Sequence, residues 1–164
     1  MTRRKIWWAI PLIAIAVSLF SLSALAQSGQ TTVTGAGAGV FPAGAAFNGV
    51  SLSSLSFGMG IALPGDGTAN GAFETTLVGT SATGLARSIV VVGDPTSGSG
   101  KVGGPATYSG LCSVNPGDGT PTLNGVPFTV TMATLPDGKW GLALSLGTTR
   151  LPAAAVNTGS VTVK

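Results

Sequence analysis

The sequence has no histidine, a single cysteine, and only eight basic and five acidic residues in 164. Without histidine, Ser-His-Asp and Cys-His catalysis and His-rich zinc or copper sites are excluded. The acids are Asp66, Glu74, Asp94, Asp118 and Asp137, and glycoside hydrolysis needs two such groups facing each other across a sugar-sized gap. Glu74 in "AFETTLVG" is out of phase with Phe73, Thr75 and Leu77, which predicts a solvent-facing position on a strand. The four aspartates all sit among Gly and Pro, where Asp hydrogen-bonds its own turn. Nothing in the spacing of Ser and Lys suggests a nucleophile pair. The residues point to a non-enzymatic chain with no cofactor.

Cys112 in "YSGLCSVN" has no second cysteine to pair with. An exported protein could use such a thiol in an intermolecular disulfide or as a reactive group. The bland reading is a core residue, in phase with Tyr108 and Val114 and with no cationic neighbour in sequence to lower its pKa.

The beginning of the chain is of a different kind. Thr2-Arg3-Arg4-Lys5 is a positive n-region, "IWWAIPLIAIAVSLFSLSALA" is an apolar h-region, and Ala24-Leu25-Ala26 is a small-x-small site before Gln27. This is the pattern of a secretory signal peptide cleaved between Ala26 and Gln27. A transmembrane anchor is the rival reading of Ile6 to Phe20. The Arg pair also permits twin-arginine export, which so apolar an h-region disfavours. The expectation is an exported protein, extracellular or periplasmic, with residues 1–26 removed and no membrane anchor left.

Cleavage changes the electrostatics. Arg3, Arg4 and Lys5 leave with the signal, so Arg87, Lys101, Lys139, Arg150 and Lys164 balance the five acids and the net charge is zero. The basic character of the full chain therefore gives no reason to expect nucleic acid or an anionic membrane as partner. A weakly charged surface does allow close association with copies of the chain or with a cell-surface glycan.

All 26 glycines lie beyond residue 26, among short alternating runs rich in Val, Thr, Ile and Leu. These runs predict an ordered, all-β chain with no sustained helical period. Residues 27–49 ("TGAGAGVFPAGAAFNG" within them) read as a Gly/Ala-rich lead-in, or as an irregular edge after a short strand at Thr31 to Thr34. Val50 to Leu63 alternates with one slip at Ser53-Ser54, the mark of a bulge or a strand break. Further strands are predicted at Ala72 to Val78, Leu85 to Val92, Ala106 to Val114, Val126 to Thr134, Lys139 to Leu146 and Ser160 to Val163, with at most one helical turn at Ala153 to Val156. "LPDGK" joins the two most regular strands as a hairpin turn. Seven or eight short strands over residues 50–164 predict one antiparallel β-sandwich or jelly-roll-like domain. An outer-membrane barrel would need two aromatic girdles. Phe41, Phe47, Phe57, Phe73, Tyr108, Phe128 and Trp140 are too few for that.

"PGDGT" occurs twice, at Pro64 to Thr68 and Pro116 to Thr120, and each copy leads through an Asn-Gly step into a strand carrying Phe73 or Phe128. A turn series of φ-permissive residues accounts for this repeat. The sharper reading is calcium, with Asp66 and Asp118 as ligands, and it requires these loops to meet further oxygens in space because Asp-x-Asp spacing is missing from both.

"ATYSGLCSVNPGDGTPTLNGVPFTVT" with the closing "LPAAAVNTGSVTVK" resembles small signal-peptide-bearing β-domains of uncharacterised bacterial exported proteins. The resemblance implies a secreted β-fold and carries no activity or site residues with it. Two classes of function follow. One is a non-catalytic structural, adhesive or surface-associated module, of which strand-exchanging pilus subunits are a version, although their usual cysteine pair is missing. The other is a glycan-binding or hydrolytic domain using loop Asp and Ser residues, with Trp140 as a stacking platform, although Trp140 is in phase with Leu142 and Leu144 as a core residue would be.

Overall fold

A computed structural model describes residues 29–164. The signal segment and its Ala26/Gln27 cleavage position lie outside the described residues. The strands are β1 (Thr31–Val40), β2 (Ala46–Phe47), β3 (Val50–Leu63), β4 (Asn70–Ser81), β5 (Ala86–Gly100), β6 (Ala106–Asn115), β7 (Leu123–Thr134), β8 (Trp140–Leu146), β9 (Thr149–Arg150) and β10 (Ala154–Val163). All pairings are antiparallel. From β3 to β8 each strand pairs with its neighbour in sequence; β10 then pairs with β8, and β1 pairs with both β10 and β3. The wall therefore closes as a ring of eight strands, with β2 and β9 as short additions to β3 and β8.

Alternation along the strands predicts a sandwich or jelly roll, and the pairings show a single sheet whose ends meet at β1. The physical reason is simple. A strand with one buried face carries the same period-2 pattern whether the opposing layer is a second sheet or the far side of its own. The stretch expected as a lead-in supplies the closing strand, since Thr31–Val40 is extended throughout.

Small residues make that closure feasible. β1 approaches β10 so closely that a Cβ on Gly37 would collide with the Thr158 carbonyl oxygen, and one on Gly35 would stand 2.7 Å from that of Ser160. Chain of this kind scores poorly as a strand because glycine has no side chain to pack. Here the missing side chain is what permits the contact. The last predicted helical turn is also extended, with β10 running from Ala154 and pairing Ala154 with Leu142.

The slip at Ser53-Ser54 is real: the β3–β4 register shifts between Leu52 and Ser54. A second shift between Pro95 and Ser97 lets β5 run on to Gly100 through "DPTSGSG", as expected for a proline held at a bulge.

Inward residues form one apolar core that includes Leu55, Ile61, Leu77, Val130, Leu142 and Leu144. Three rings from different strands fill its middle. Phe73 and Phe128 stack with centroids 5.9 Å apart, and Tyr108 meets both edge-on at 5.9 and 6.4 Å. The Tyr108 hydroxyl donates to Met59 Sδ at 3.4 Å, and burial pushes its pKa up. Gly93 faces Phe128 with no room for a Cβ, which would lie 2.7 Å from the ring. The outer side carries Ser, Thr, Gly and Ala at most positions, the reverse of the apolar-out pattern of a lipid-facing barrel.

The seam makes a testable demand. Gly37→Ala is expected to destabilise the protein by about 1–3 kcal/mol, because the added methyl must push β1 off β10. Ala36→Ser, on the outer side of the same strand, should stay within about 0.5 kcal/mol. Urea denaturation of the two variants beside the parent protein checks both.

Candidate functional site

Both PGDGT loops fold in the same way. In the first, Asp66 Oδ1 accepts hydrogen bonds from the Thr68 amide at 2.8 Å and the Thr68 hydroxyl at 2.6 Å. In the second, Asp118 Oδ1 accepts from the Thr120 amide at 2.9 Å and the Thr120 hydroxyl at 2.6 Å. The glycines on either side of each Asp have positive φ, so each carboxylate closes a tight turn onto the threonine two residues later. These bonds hold both carboxyls below the ordinary value of 3.8, with the threonine hydroxyl as the main cause and its amide second; Arg87 adds a weaker electrostatic pull on Asp118.

Chain direction decides whether the loops can meet. Successive strands of the ring are antiparallel, so the connections alternate between its two ends. The β3–β4, β5–β6 and β7–β8 connections share one end, and the β1–β3, β4–β5, β6–β7 and β8–β10 connections share the other. Asp66 thus stands at one end and Asp118 at the opposite one, and the geometric condition for a shared cation site is not met by this pair. Asp137 is at the Asp66 end, where Oδ1 accepts from the Lys139 amide and Oδ2 lies 3.7 Å from Lys139 Nζ. Among the described residues no group of three His, Cys, Asp or Glu side chains comes together.

The remaining acids are on the outer wall. Glu74 pairs with Val92, and Asp94 follows two residues along the same strand, opposite Leu111. Both are exposed, and Glu74 borders shallow, open hollows over Gly58 and Gly60. Trp140 pairs with Thr134 in phase with Leu142 and packs half-buried against the core. Cys112 is buried inside the wall, and burial raises its thiol to about 11.

The Asp118 end holds what spacing in the sequence did not reveal. The β2–β3 hairpin turns on Asn48 and Gly49, with φ of 47° and 76°, the two positive values of a type I′ turn. That tight turn brings Phe47 and Val50 against Ile89 at the start of β5. Pro116, Asp118, Thr120 and Pro121 of the β6–β7 loop and Leu123 at the start of β7 complete the lining of a cavity of about 370 Å³. A third Asn-Gly of the sequence, at Asn48, stands before a strand as the other two do, and nothing local to it marks it as a partner of a loop some seventy residues later. No family model, curated protein or solved structure matches the chain.

Two measurements follow. At neutral pH and without denaturant, Cys112 should resist alkylation, and it should react at once when the protein is unfolded in guanidinium. Thr68→Val and Thr120→Val should each raise the pKa of the partner aspartate toward 3.8, read by carboxyl carbon shifts in an NMR titration. Because the folded-state values are depressed, the stability these turns contribute is present above the unfolded carboxylate pKa and lost as the pH falls through the folded one. Acid unfolding of either variant should accordingly show less pH dependence below about pH 4.

Proposed function

We propose that the chain is an exported, non-catalytic β-barrel that acts through its outer wall as a structural, adhesive or surface-associated module. One observation carries this reading: the outer face of β10, β1, β3 and β4 is nearly flat in chemistry. The register sets Ser160, Ala36, Gly58 and Glu74 side by side in one row, and Thr162, Thr34, Gly60 and Ala72 in the next. Over Gly58 and Gly60 the space is open, and in these two rows Glu74 is the sole charge. A surface without long side chains loses little conformational entropy on contact, and a weakly charged one does not repel copies of itself or a neutral polysaccharide.

The mature chain's balance of five basic and five acidic residues supports the same reading. So does the placement of the turn aspartates, each tied to its own loop. The alternative, a glycan-binding or hydrolytic domain built on loop Asp residues and Trp140, has less to draw on, since that indole is packed against the core and the two PGDGT loops are at opposite ends.

Cosedimentation with insoluble cell-wall polysaccharide, with light scattering of the protein alone, tests the reading. The parent protein is expected to pellet with the polymer or to self-associate. Ala36→Glu and Ser160→Lys, both at exposed outer positions, should abolish this with melting temperatures unchanged within about 3 °C. A parent protein that stays monomeric and in the supernatant with every polymer would reject it.

A further inference from the structure

The cavity at the Asp118 end is separate from the outer wall and independent of the reading above. Its walls are apolar: Phe47, Val50 and Ile89 are buried, and Leu123 at the start of β7 is 48% exposed although it has no polar group to place in water. A space of about 370 Å³ is at the small end of the range of small-molecule pockets. Mouths of small closed barrels are also a recurrent location for one small ligand.

The polar part of the lining is one-sided. Asn48, Asp118 and Thr120 are at the rim, and Asp118 is the single charged residue in the lining. The Thr120 hydroxyl and amide hold it as a carboxylate, and both bonds fall on Oδ1. Oδ2 has no side-chain partner among the described residues. Arg87 acts on Asp118 only as the weakest of several influences, and no ion pair between them forms among the described residues.

We propose that this mouth binds one small molecule with an apolar body and an ammonium head. The body packs on Phe47, Val50 and Ile89, and the head sits at the Asp118 carboxylate. An anionic ligand of the same shape would meet a fixed negative charge at the rim. A neutral one would keep the apolar contact and lose the charge attraction, which at a wet rim is modest and falls with salt.

Three indoles that differ only in their heads test this on the unaltered protein: tryptamine, tryptophol and indole-3-propionate. In amide proton–nitrogen spectra, tryptamine is expected to shift Phe47, Ile89 and Thr120 saturably. It should bind about ten-fold more tightly than the carboxylate and about three-fold more tightly than the alcohol at low salt, the differences shrinking at high salt. Asp118→Asn keeps a side-chain oxygen for the Thr120 amide, and it should bring tryptamine and tryptophol to equal affinity. Leu123→Arg, at an exposed position, should remove tryptamine binding. Equal affinity for the three heads on the parent protein, shifts confined to other parts of the barrel, or no saturable shift with any of them would each overturn the proposal. A tryptamine preference that survives in folded Asp118→Asn would overturn the role of the carboxylate.

Discussion

The contact on which the rest of the molecule depends is the close approach of β1 to β10. An open sheet of these strands would leave two edges of unpaired amides and carbonyls, the usual template for uncontrolled strand addition. β1 bonds along its length to β10 on one side and β3 on the other, and the ring is completed where Ala154 and Ala155 of β10 pair with Leu142 and Gly141 of β8. β1 can do so because, beyond the buried Thr31 and Val33, its inward positions are Gly35, Gly37 and Gly39, the first two with no space for a Cβ against the β10 backbone and the third tightly fitted to Ala155. The Val or Ile that would make a better strand by propensity would hold the seam open. Local preference and global closure conflict here, and closure prevails because a whole ladder of backbone hydrogen bonds depends on it.

Closure then fixes polarity and addresses. With the sheet wrapped around its own apolar face, one set of alternating residues fills the inside, where Phe73, Tyr108 and Phe128 occupy the space a second sheet would otherwise supply. The other set becomes an outer wall mostly of short polar and small residues, with Val78, Val92 and Leu111 exposed among them. Antiparallel order also sends each connection to a predetermined end. The two PGDGT loops leave β3 and β6, strands that run in opposite directions, so identical turns are presented to different surroundings.

What was legible in the sequence follows from this. Strand positions could be read from period-2 runs such as Val126 to Met132, and the bulge at Ser53-Ser54 from a single slip in phase, because burial of one face leaves a direct trace in residue order. The turn role of Asp66 and Asp118 was legible too, from glycine on either side. Closure was not, since its signal is the glycines of β1, which resemble a linker when read one residue at a time. The extension of β5 through Pro95 to Gly100 was hidden for a similar reason: a proline and two glycines look like an end, and only the bulge between Pro95 and Ser97 shows how the strand continues. The mouth cavity was out of reach because it joins the Asn48 turn to the Pro116–Leu123 segment, and no local pattern encodes a contact across the ring.

The repeated pentapeptide shows how little a motif says apart from its position. In both copies threonine satisfies the aspartate in the same geometry, so the chemistry within the loops cannot distinguish them. At the Asp66 end the loop runs beside β5, where the Ala69 amide donates to the Thr96 carbonyl and the Gly98 amide to that of Gly67, and its backbone is used up in pairing. At the Asp118 end the loop shares a cavity lining with Phe47, Val50 and Ile89, with prolines at Pro116 and Pro121 that offer no amide to a neighbouring strand. The first loop is hydrogen-bonded along β5, and the second also lies close to β5, where a Cβ on Gly117 would collide with the Ser88 carbonyl oxygen. The carboxylate beside that cavity owes its position to which way β6 runs.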